Sequence, residues 1–459
     1  MRPIAFSAAI AAAADGFTSW SARPLDQRAA IIERAADTFE ANRGRLLALL
    51  QNEAGKTLDD ALAELREAVD YCRYYAEQAR TTLVPRPMPG PTGESNQLGH
   101  RGRGVFVAIS PWNFPLAIFI GQIAAALVAG NTVVAKPAEQ TPLVATLAVM
   151  LLHRAGVPKS ALHLVPGDGA IGAGLVAQQP VAGVVFTGST ETGRAINHAL
   201  AEKKGPIVPL IAETGGINAM IVDATALPEQ VCDDVLTSSF RSAGQRCSAL
   251  RLLCLQDDIT EPTLAMLAGA ARELTLGDPR QLATHIGPVI DAEAKSKLDD
   301  WVGKQESAGR VRFRWDQYGR LPAAGTYVAP AIIELDRASE LDREIFGPVL
   351  HVVRWHPDRL DALLGDIAAN GTALTLGIQS RIDLRVERIV GRLRHGNVYV
   401  NRNMIGAVVG VQPFGGTGLS GTGPKAGGPD YLRRFAAEQV VTINTAAAGG
   451  NAGLLALDD

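Results

Sequence analysis

The chain has 459 residues, more than one hydrophobic core usually supports, so two or three domains are expected. Apolar residues make up 47% and charged residues 20%, ordinary values for a globular protein. A net charge of −3 and an aromatic content of 5% argue against nucleic acid or a membrane surface as partner.

In chain order, Met1-Arg2 followed by IAFSAAIAAAA shares features with a signal peptide. The stretch is Ala-dominated, however, and runs into helical periodicity through Phe17 and Trp20, so a helix is expected. From about residue 24 to 80, charged residues interleave with Ala and Leu at three-to-four spacing, which also predicts helix. The Pro- and Gly-rich stretch containing PRPMPGPTG, near 83–103, breaks that pattern. A strand–helix alternation follows. VFVAI (105–109), TVVAKP (132–137), ALHLVPG, VAGVVFTG (181–188) and PIVPLIAET (206–214) read as strands, with apolar helices between the first three. This predicts a parallel sheet covered on both faces, with ligands at the carboxyl ends of its strands. The longest apolar run, Pro115 to Ala129, contains Gln122 and is too short to span a bilayer comfortably. A second α/β region spans about 215–405, with strand candidates LRLLCLQ, VVR near 352, LTLGIQ and GNVYVN. EQVVTIN (438–444) is β-like, and the Ala/Gly-rich tail after it is expected to be poorly ordered.

The four cysteines (Cys72, Cys232, Cys247, Cys254) fit neither a disulfide framework nor a CxxC metal site. The expectation is a reduced, cytoplasmic protein without a structural metal. Cys72 and Cys254 lie in helical or apolar runs, and with Cys232 they take the structural reading. Cys247 stands in the small, polar setting SAGQRCSALR, where the neighbouring Arg246 should favour the reactive thiolate. Glu213 closes an apolar strand, so partial desolvation should raise its pKa toward general-base work. Gly215 and Gly216 should leave room beside it for substrate or cofactor. By itself Glu213 better suits capping of a following helix. Asn113, in SPWNFP, can cap a helix or donate to an oxyanion. Lys136 and Glu139, in AKPAEQTP, can serve a ribose or form an ordinary surface pair. FTGSTETG (186–193) can place helix N–H groups at a pyrophosphate.

Taken in order, SPWNFP, GNTVVAKPAEQT, FTGST, ETGG, GQRCS, EIFGPV and PFGG resemble the aldehyde dehydrogenase superfamily over about residues 16–445. The resemblance implies a Rossmann-like NAD domain (1–82 and 104–212, with 418–437 returning to it). It also implies an α/β catalytic domain (213–417) and a small β-flap (83–103 and 438–450) that makes a homo-oligomer, a dimer or higher. On this footing Cys247 is the nucleophile and Glu213 the general base. The Asn113 side chain and the Cys247 N–H are the oxyanion donors. Lys136 and Glu139 would contact the adenine ribose, Ser189 the pyrophosphate, and Glu344 and Phe346 the nicotinamide ribose and ring.

AETGG, SAGQRCSALR, NRNMIGAVVGVQPFGG and SGTGPKAGGP resemble the L-glutamate γ-semialdehyde (1-pyrroline-5-carboxylate) dehydrogenases, above all the C-terminal half of bifunctional proline utilization A proteins. The substrate carboxylate would then be held by Ser248, Gly406 and Ala407 with Arg246 nearby, and its chain flanked by Phe114 and Phe414. A nest of N–H groups around Gly406 suits a carboxylate. Members of this group begin with a few dozen further residues, so a truncated product or an excised piece is expected; no proline dehydrogenase barrel, and hence no flavin, is expected in this chain. The rival readings are oxidation of another aldehyde such as succinic semialdehyde, a non-catalytic structural module, and a redox-sensing cysteine protein.

Overall fold

The structure, a computed structural model, describes residues 4–317, 319, 321, 322, 324–445 and 447. Residues 1–3, the tail from 448 onward and the end of the 438–450 segment lie outside the described residues. Four helices open the chain: Ile4–Ser21, Leu25–Ala41, Arg43–Ala54 and Leu58–Thr82. The expected helical stretch is thus interrupted, at Asn42 and at the left-handed cap Gly55 (φ 66°). Thr57 starts the fourth helix by accepting from the Asp60 N–H.

The five expected strands form one parallel sheet. Its order is Leu162–Leu164, Thr132–Lys136, Val105–Ile109, Val181–Gly188, Leu210–Thr214, or 3-2-1-4-5, the Rossmann order without its sixth strand. Alternation along the central strand sends Phe106 and Ala108 to one face and Val105, Val107 and Ile109 to the other. The first face packs on the helices from Leu25 to Thr82 and on the apolar helix Ala117–Val128. The second packs on Ile10 and Ala13 of the opening helix, which accounts for that segment's Ala-rich composition as core packing.

A second sheet of seven strands runs Val311–Arg314, Ala331–Glu334, Val349–Trp355, Leu252–Gln256, Ala219–Val222, Thr375–Gln379, Asn397–Val400. It is parallel except where the first two strands pair. The four expected strands of this region are present; Ala219–Val222, Val311–Arg314 and Ala331–Glu334 were not foreseen. A third, antiparallel sheet joins Arg86–Met88, Glu94–Gly102 and Ala436–Asn444. The last two pair without interruption from Ala436↔Gly102 to Asn444↔Glu94. Among the described residues no helix is long and apolar enough to cross a membrane, and no cluster of His, Cys, Asp or Glu is arranged to hold a metal.

Candidate active site

Cys247 lies in the loop that enters the strand Leu252–Gln256, and that loop is fixed from several sides. The three residues Ser242, Ala243 and Gly244 are all left-handed (φ 57°, 55° and 67°), a strained arrangement for the first two. Ser242 Oγ donates to Asp60 Oδ2 (2.8 Å), and the buried Arg251 donates to Gly244 O (2.6 Å) and Arg246 O (3.0 Å). A Cβ at Gly244 would collide with Gly347 O. Asn218, buried after the ETGG turn, donates to Cys247 O (2.6 Å) and Ala249 O (2.9 Å). The Cys247 backbone is therefore preset while its side chain is half-buried.

Glu213 ends the strand Leu210–Thr214. The segment Ser420–Thr422 runs alongside it: Thr214 N donates to Ser420 O (3.0 Å) and Thr422 N to Ala212 O (2.9 Å). A strand, Ala219–Val222, comes next in the chain, so Glu213 caps no following helix. Its Oε1 is shielded from solvent without a hydrogen-bond partner, and its carboxylate faces the Cys247 thiol. Burial, reinforced by Glu67 and opposed by the thiol and by Lys425, pushes its pKa up to about 7.

Arg246 does not act as expected. Its guanidinium is taken by the buried Asp60 (Nη2 to Oδ1, 2.7 Å), which also holds Arg241 (2.7 Å). The Cys247 thiol is instead pushed well above its ordinary pKa, by burial first and then by the charges of Glu213 and Glu344. Proximity in sequence was the wrong guide, because Asp60 reaches the guanidinium first.

Cys247 and Glu213 share one cavity with Arg246, Ser248, Gly406, Ala407, Phe114 and Phe414. Gly406 is left-handed (φ 85°) and has open space on its Cβ side. Phe114 is backed by cations, with Lys56 Nζ 4.1 Å and Arg246 Cζ 5.4 Å from its ring centroid. Asn113, one residue earlier, is buried. It is not the cap of the next helix, since Glu64 Oε1 accepts from Leu116 N (2.7 Å) and Ala117 N (3.2 Å). The cavity also takes Glu67 and Tyr71 from the helix Leu58–Thr82, which sequence reasoning missed. Their only signal is an ordinary amphipathic pattern.

The remaining candidates stand at strand ends. Lys136 closes Thr132–Lys136, with its buried ammonium 2.9 Å from Pro137 O and 3.9 Å from the Glu139 carboxylate, so it is no surface lysine. Ser189 caps the helix Thr190–Glu202 by accepting from Thr192 N (3.2 Å). Glu344 and Phe346 line a second cleft with Trp112, and Phe346 meets the Trp112 ring edge-on at 5.5 Å. The room expected beside Gly215 is filled by the Glu344 carboxylate, on which a Cβ at that glycine would intrude.

A parallel nucleotide-type sheet that delivers a carboxylate to a thiol held by a second α/β unit defines a class of protein. Residues 3–441 match the aldehyde dehydrogenase family, and the chain belongs to it. More particularly, it is 52% identical to the bifunctional protein PutA of Escherichia coli (strain K12) over 94% of this chain. It spans only 32% of that relative's length. It is 37% identical to the 1-pyrroline-5-carboxylate dehydrogenase of Geobacillus kaustophilus, over 92% of this chain and 82% of that one. Among solved structures, a bifunctional proline utilization A protein superposes with TM-score 0.95 at 64% identity, over 98% of this chain and 46% of that one. A Thermus 1-pyrroline-5-carboxylate dehydrogenase with bound NAD superposes with TM-score 0.91 at 34% identity, over 96% and 86% respectively.

Proposed function

We propose that this chain oxidises L-glutamate γ-semialdehyde to L-glutamate with NAD, the second step of proline catabolism. The observation that carries the reading is the single cavity joining the thiol and carboxylate of Cys247 and Glu213 to Ser248 and the Gly406–Ala407 loop. A substrate with an aldehyde at one end and a carboxylate at the other needs both sets of groups. Relatives named 1-pyrroline-5-carboxylate dehydrogenase support the substrate, since that compound is the ring-closed form of the semialdehyde.

The strand ends fit a dinucleotide. Glu139 presents an exposed carboxylate beside the Lys136 ammonium for ribose hydroxyls, and Ser189 stands at a helix N-terminus suited to a pyrophosphate. Glu344 and Phe346 line the cleft that would take the nicotinamide ribose and ring. When bound, NAD supplies the hydride acceptor. The protein does the rest. Cys247 attacks the aldehyde carbon as thiolate, forming the thiohemiacetal whose oxyanion receives hydrogen bonds from the Asn113 amide and the Cys247 N–H. After oxidation to the thioester, Glu213 takes a proton from water, the hydroxide adds, and L-glutamate leaves as the thiolate is restored. Ser248 and the N–H groups at Gly406 and Ala407 hold the distal carboxylate, with Phe114 and Phe414 against the chain between.

The same reading divides the chain into an NAD domain (1–82, 104–212 and 418–437), a catalytic domain (213–417) and a flap for self-association. The unpaired cysteines suit a cytoplasmic setting. NADH formation from glutamate semialdehyde, succinic semialdehyde and propanal tests the assignment. The highest kcat/KM is expected for glutamate semialdehyde. Equal values for succinic semialdehyde would remove the substrate assignment and leave the enzyme class standing.

A further inference from the structure

The motif NRNMIGAVVGVQPFGG contains two polar side chains, Arg402 and Gln412, that the mechanism above does not use. They flank the Gly406–Ala407 loop in sequence, and the fold brings them together behind it. The loop is held at both ends: Met404 N donates to Ser238 Oγ (3.1 Å), Gln412 N to Val408 O (2.7 Å) and Gly410 N to Gly427 O (2.8 Å). Arg402 is fixed as well. Its Nε donates to Asn403 O (3.1 Å), and its Cζ stands 5.2 Å from the Tyr399 ring centroid. Nη1 is 2.6 Å from the Gln412 amide, whose other end is 3.2 Å from Gly406 O. A guanidinium only donates and a carbonyl only accepts, so the Gln412 oxygen faces Arg402 and its nitrogen faces Gly406.

This contact decides where an N–H points. The C=O of Gly406 and the N–H of Ala407 belong to one trans peptide and so point in opposite directions. Gln412 takes the carbonyl, and neither it nor Arg402 lines the cavity, whereas Gly406 and Ala407 do. The Ala407 N–H is thereby turned away from Gln412 and toward the cavity. Gly406 is left-handed here (φ 85°), a conformation that glycine adopts without strain. Among the described residues nothing accepts from the Ala407 N–H or from the Gly406 N–H.

We propose that Arg402 and Gln412 form a relay that carries positive charge to the substrate carboxylate and so sets the preference for a carboxylated aldehyde. The inference rests on the reading of Gly406–Ala407 as the carboxylate subsite. All three hydrogen bonds run in one sense: Arg402 donates to Gln412, Gln412 to the Gly406 carbonyl, and the Ala407 N–H of that peptide to the carboxylate. Bonds linked in this way polarise one another, so the last N–H is a stronger donor than an isolated amide. Arg402 and Gln412 are positioning residues, since neither touches the substrate. The guanidinium that lies next to Cys247 in sequence, Arg246, is occupied by Asp60 (2.7 Å). Asp234 feels the Arg402 charge, but it accepts from Gln379 Nε2 (2.7 Å) and from the Asn403 N–H rather than from the guanidinium. The Arg402 charge therefore remains available to the relay.

The test is NADH formation from glutamate semialdehyde and from propanal, which has no carboxylate to anchor. In Gln412→Ala the ratio of kcat/KM for glutamate semialdehyde to that for propanal should fall about tenfold, and the loss should appear as a raised KM rather than a lowered kcat. Gln412→Glu, nearly the same size, should lose at least as much, because a carboxylate cannot donate to Gly406 O. A side chain that merely filled space would tolerate that change. Arg402→Met should lower the ratio about three- to tenfold, and Arg402→Lys, which keeps a donor and a charge, should recover part of it. Inhibition of propanal oxidation by glutarate reads the same subsite without turnover of the anchored ligand: its Ki should rise about tenfold in Gln412→Ala. Should the alanine variant fail to fold, the glutamate and methionine variants still decide. A ratio unchanged in Gln412→Glu and Arg402→Met, or equal losses for both aldehydes, overturns the relay while the substrate reading stands. A wild type with no preference for glutamate semialdehyde over propanal overturns the substrate reading itself, and the relay with it.

Discussion

Glu213 ends an apolar strand, and burial together with the Glu67 charge lifts its pKa to about 7. Below that pH it is protonated and takes no proton from water, so thioester hydrolysis should rise with pH through about 7 and level off above it. Glu213→Gln should abolish this limb and slow the steady state by about 100-fold or more, leaving an NADH burst near one per site. Stopped-flow absorbance separates the two phases, and loss of the burst in a folded variant would point to a structural role. Ser248 belongs to the same scale. Hydrogen bonds to a charged group are worth about 1.5–3 kcal/mol, so Ser248→Ala should cost roughly 10- to 100-fold in kcat/KM for glutamate semialdehyde. Propanal, which has no carboxylate, should be nearly unaffected; equal losses would mean that Ser248 serves the nucleophile. The residues whose placement was legible are those in motifs at strand ends, where position in a parallel sheet already says which way they face. Glu67 and Tyr71 were not legible, because polar residues on an amphipathic helix normally face water, and only tertiary packing shows that these line a cavity.

At the scale of elements, the five strands of the first sheet were legible because each is an apolar run preceding a helix or a glycine turn. Ala219–Val222 and Ala331–Glu334 were harder: each is four residues long, and a short apolar run has no period to read. Pairing with neighbours distant in sequence makes them strands. The helix Leu58–Thr82 shows how elements lock together beyond pattern. Its first turn carries Asp60, which accepts from Arg241, Arg246 and Ser242 and so ties this helix to the loop that carries Cys247. Burial works against the Asp60 charge, but Arg246, Lys56, Arg241 and the Ser242 hydroxyl prevail and hold its pKa far below the usual carboxylate range. Since the folded-state value is the lower one, this stabilisation is present above the unfolded value of about 3.9. It is lost as pH falls toward the folded value. Asp60→Asn should therefore cost about 3–5 kcal/mol at pH 7, the usual cost of stranding a buried charge, and progressively less in strong acid. Denaturant midpoints at neutral and acid pH measure this; coincident midpoints at pH 7 would show that Arg241 and Arg246 are satisfied without Asp60.

At the scale of the molecule, the antiparallel sheet was legible only through family resemblance, since its two long strands lie far apart in sequence. Its geometry now gives a physical argument for assembly. The strand order places Ala436–Asn444 at an edge, and along it Val440, Val441 and Ile443 are exposed. A long apolar edge strand with open hydrogen-bonding groups attracts another chain unless it is covered, and none of the three positions carries a charge to prevent it. Val441 and Ile443 are two residues apart and so share a face. The pair Val441→Asp and Ile443→Asp would put two like charges on that face. In the single chain both side chains are already solvated, so folding should change by no more than about 0.5 kcal/mol per site. In an assembly they would be buried, where unpaired carboxylates are strongly unfavourable. Sedimentation velocity should accordingly show the wild type as a dimer or larger and the double variant as a monomer with an unchanged thermal midpoint for local unfolding of each chain. A variant of wild-type mass would exclude this sheet as the contact, and a monomeric wild type would remove the assembly altogether.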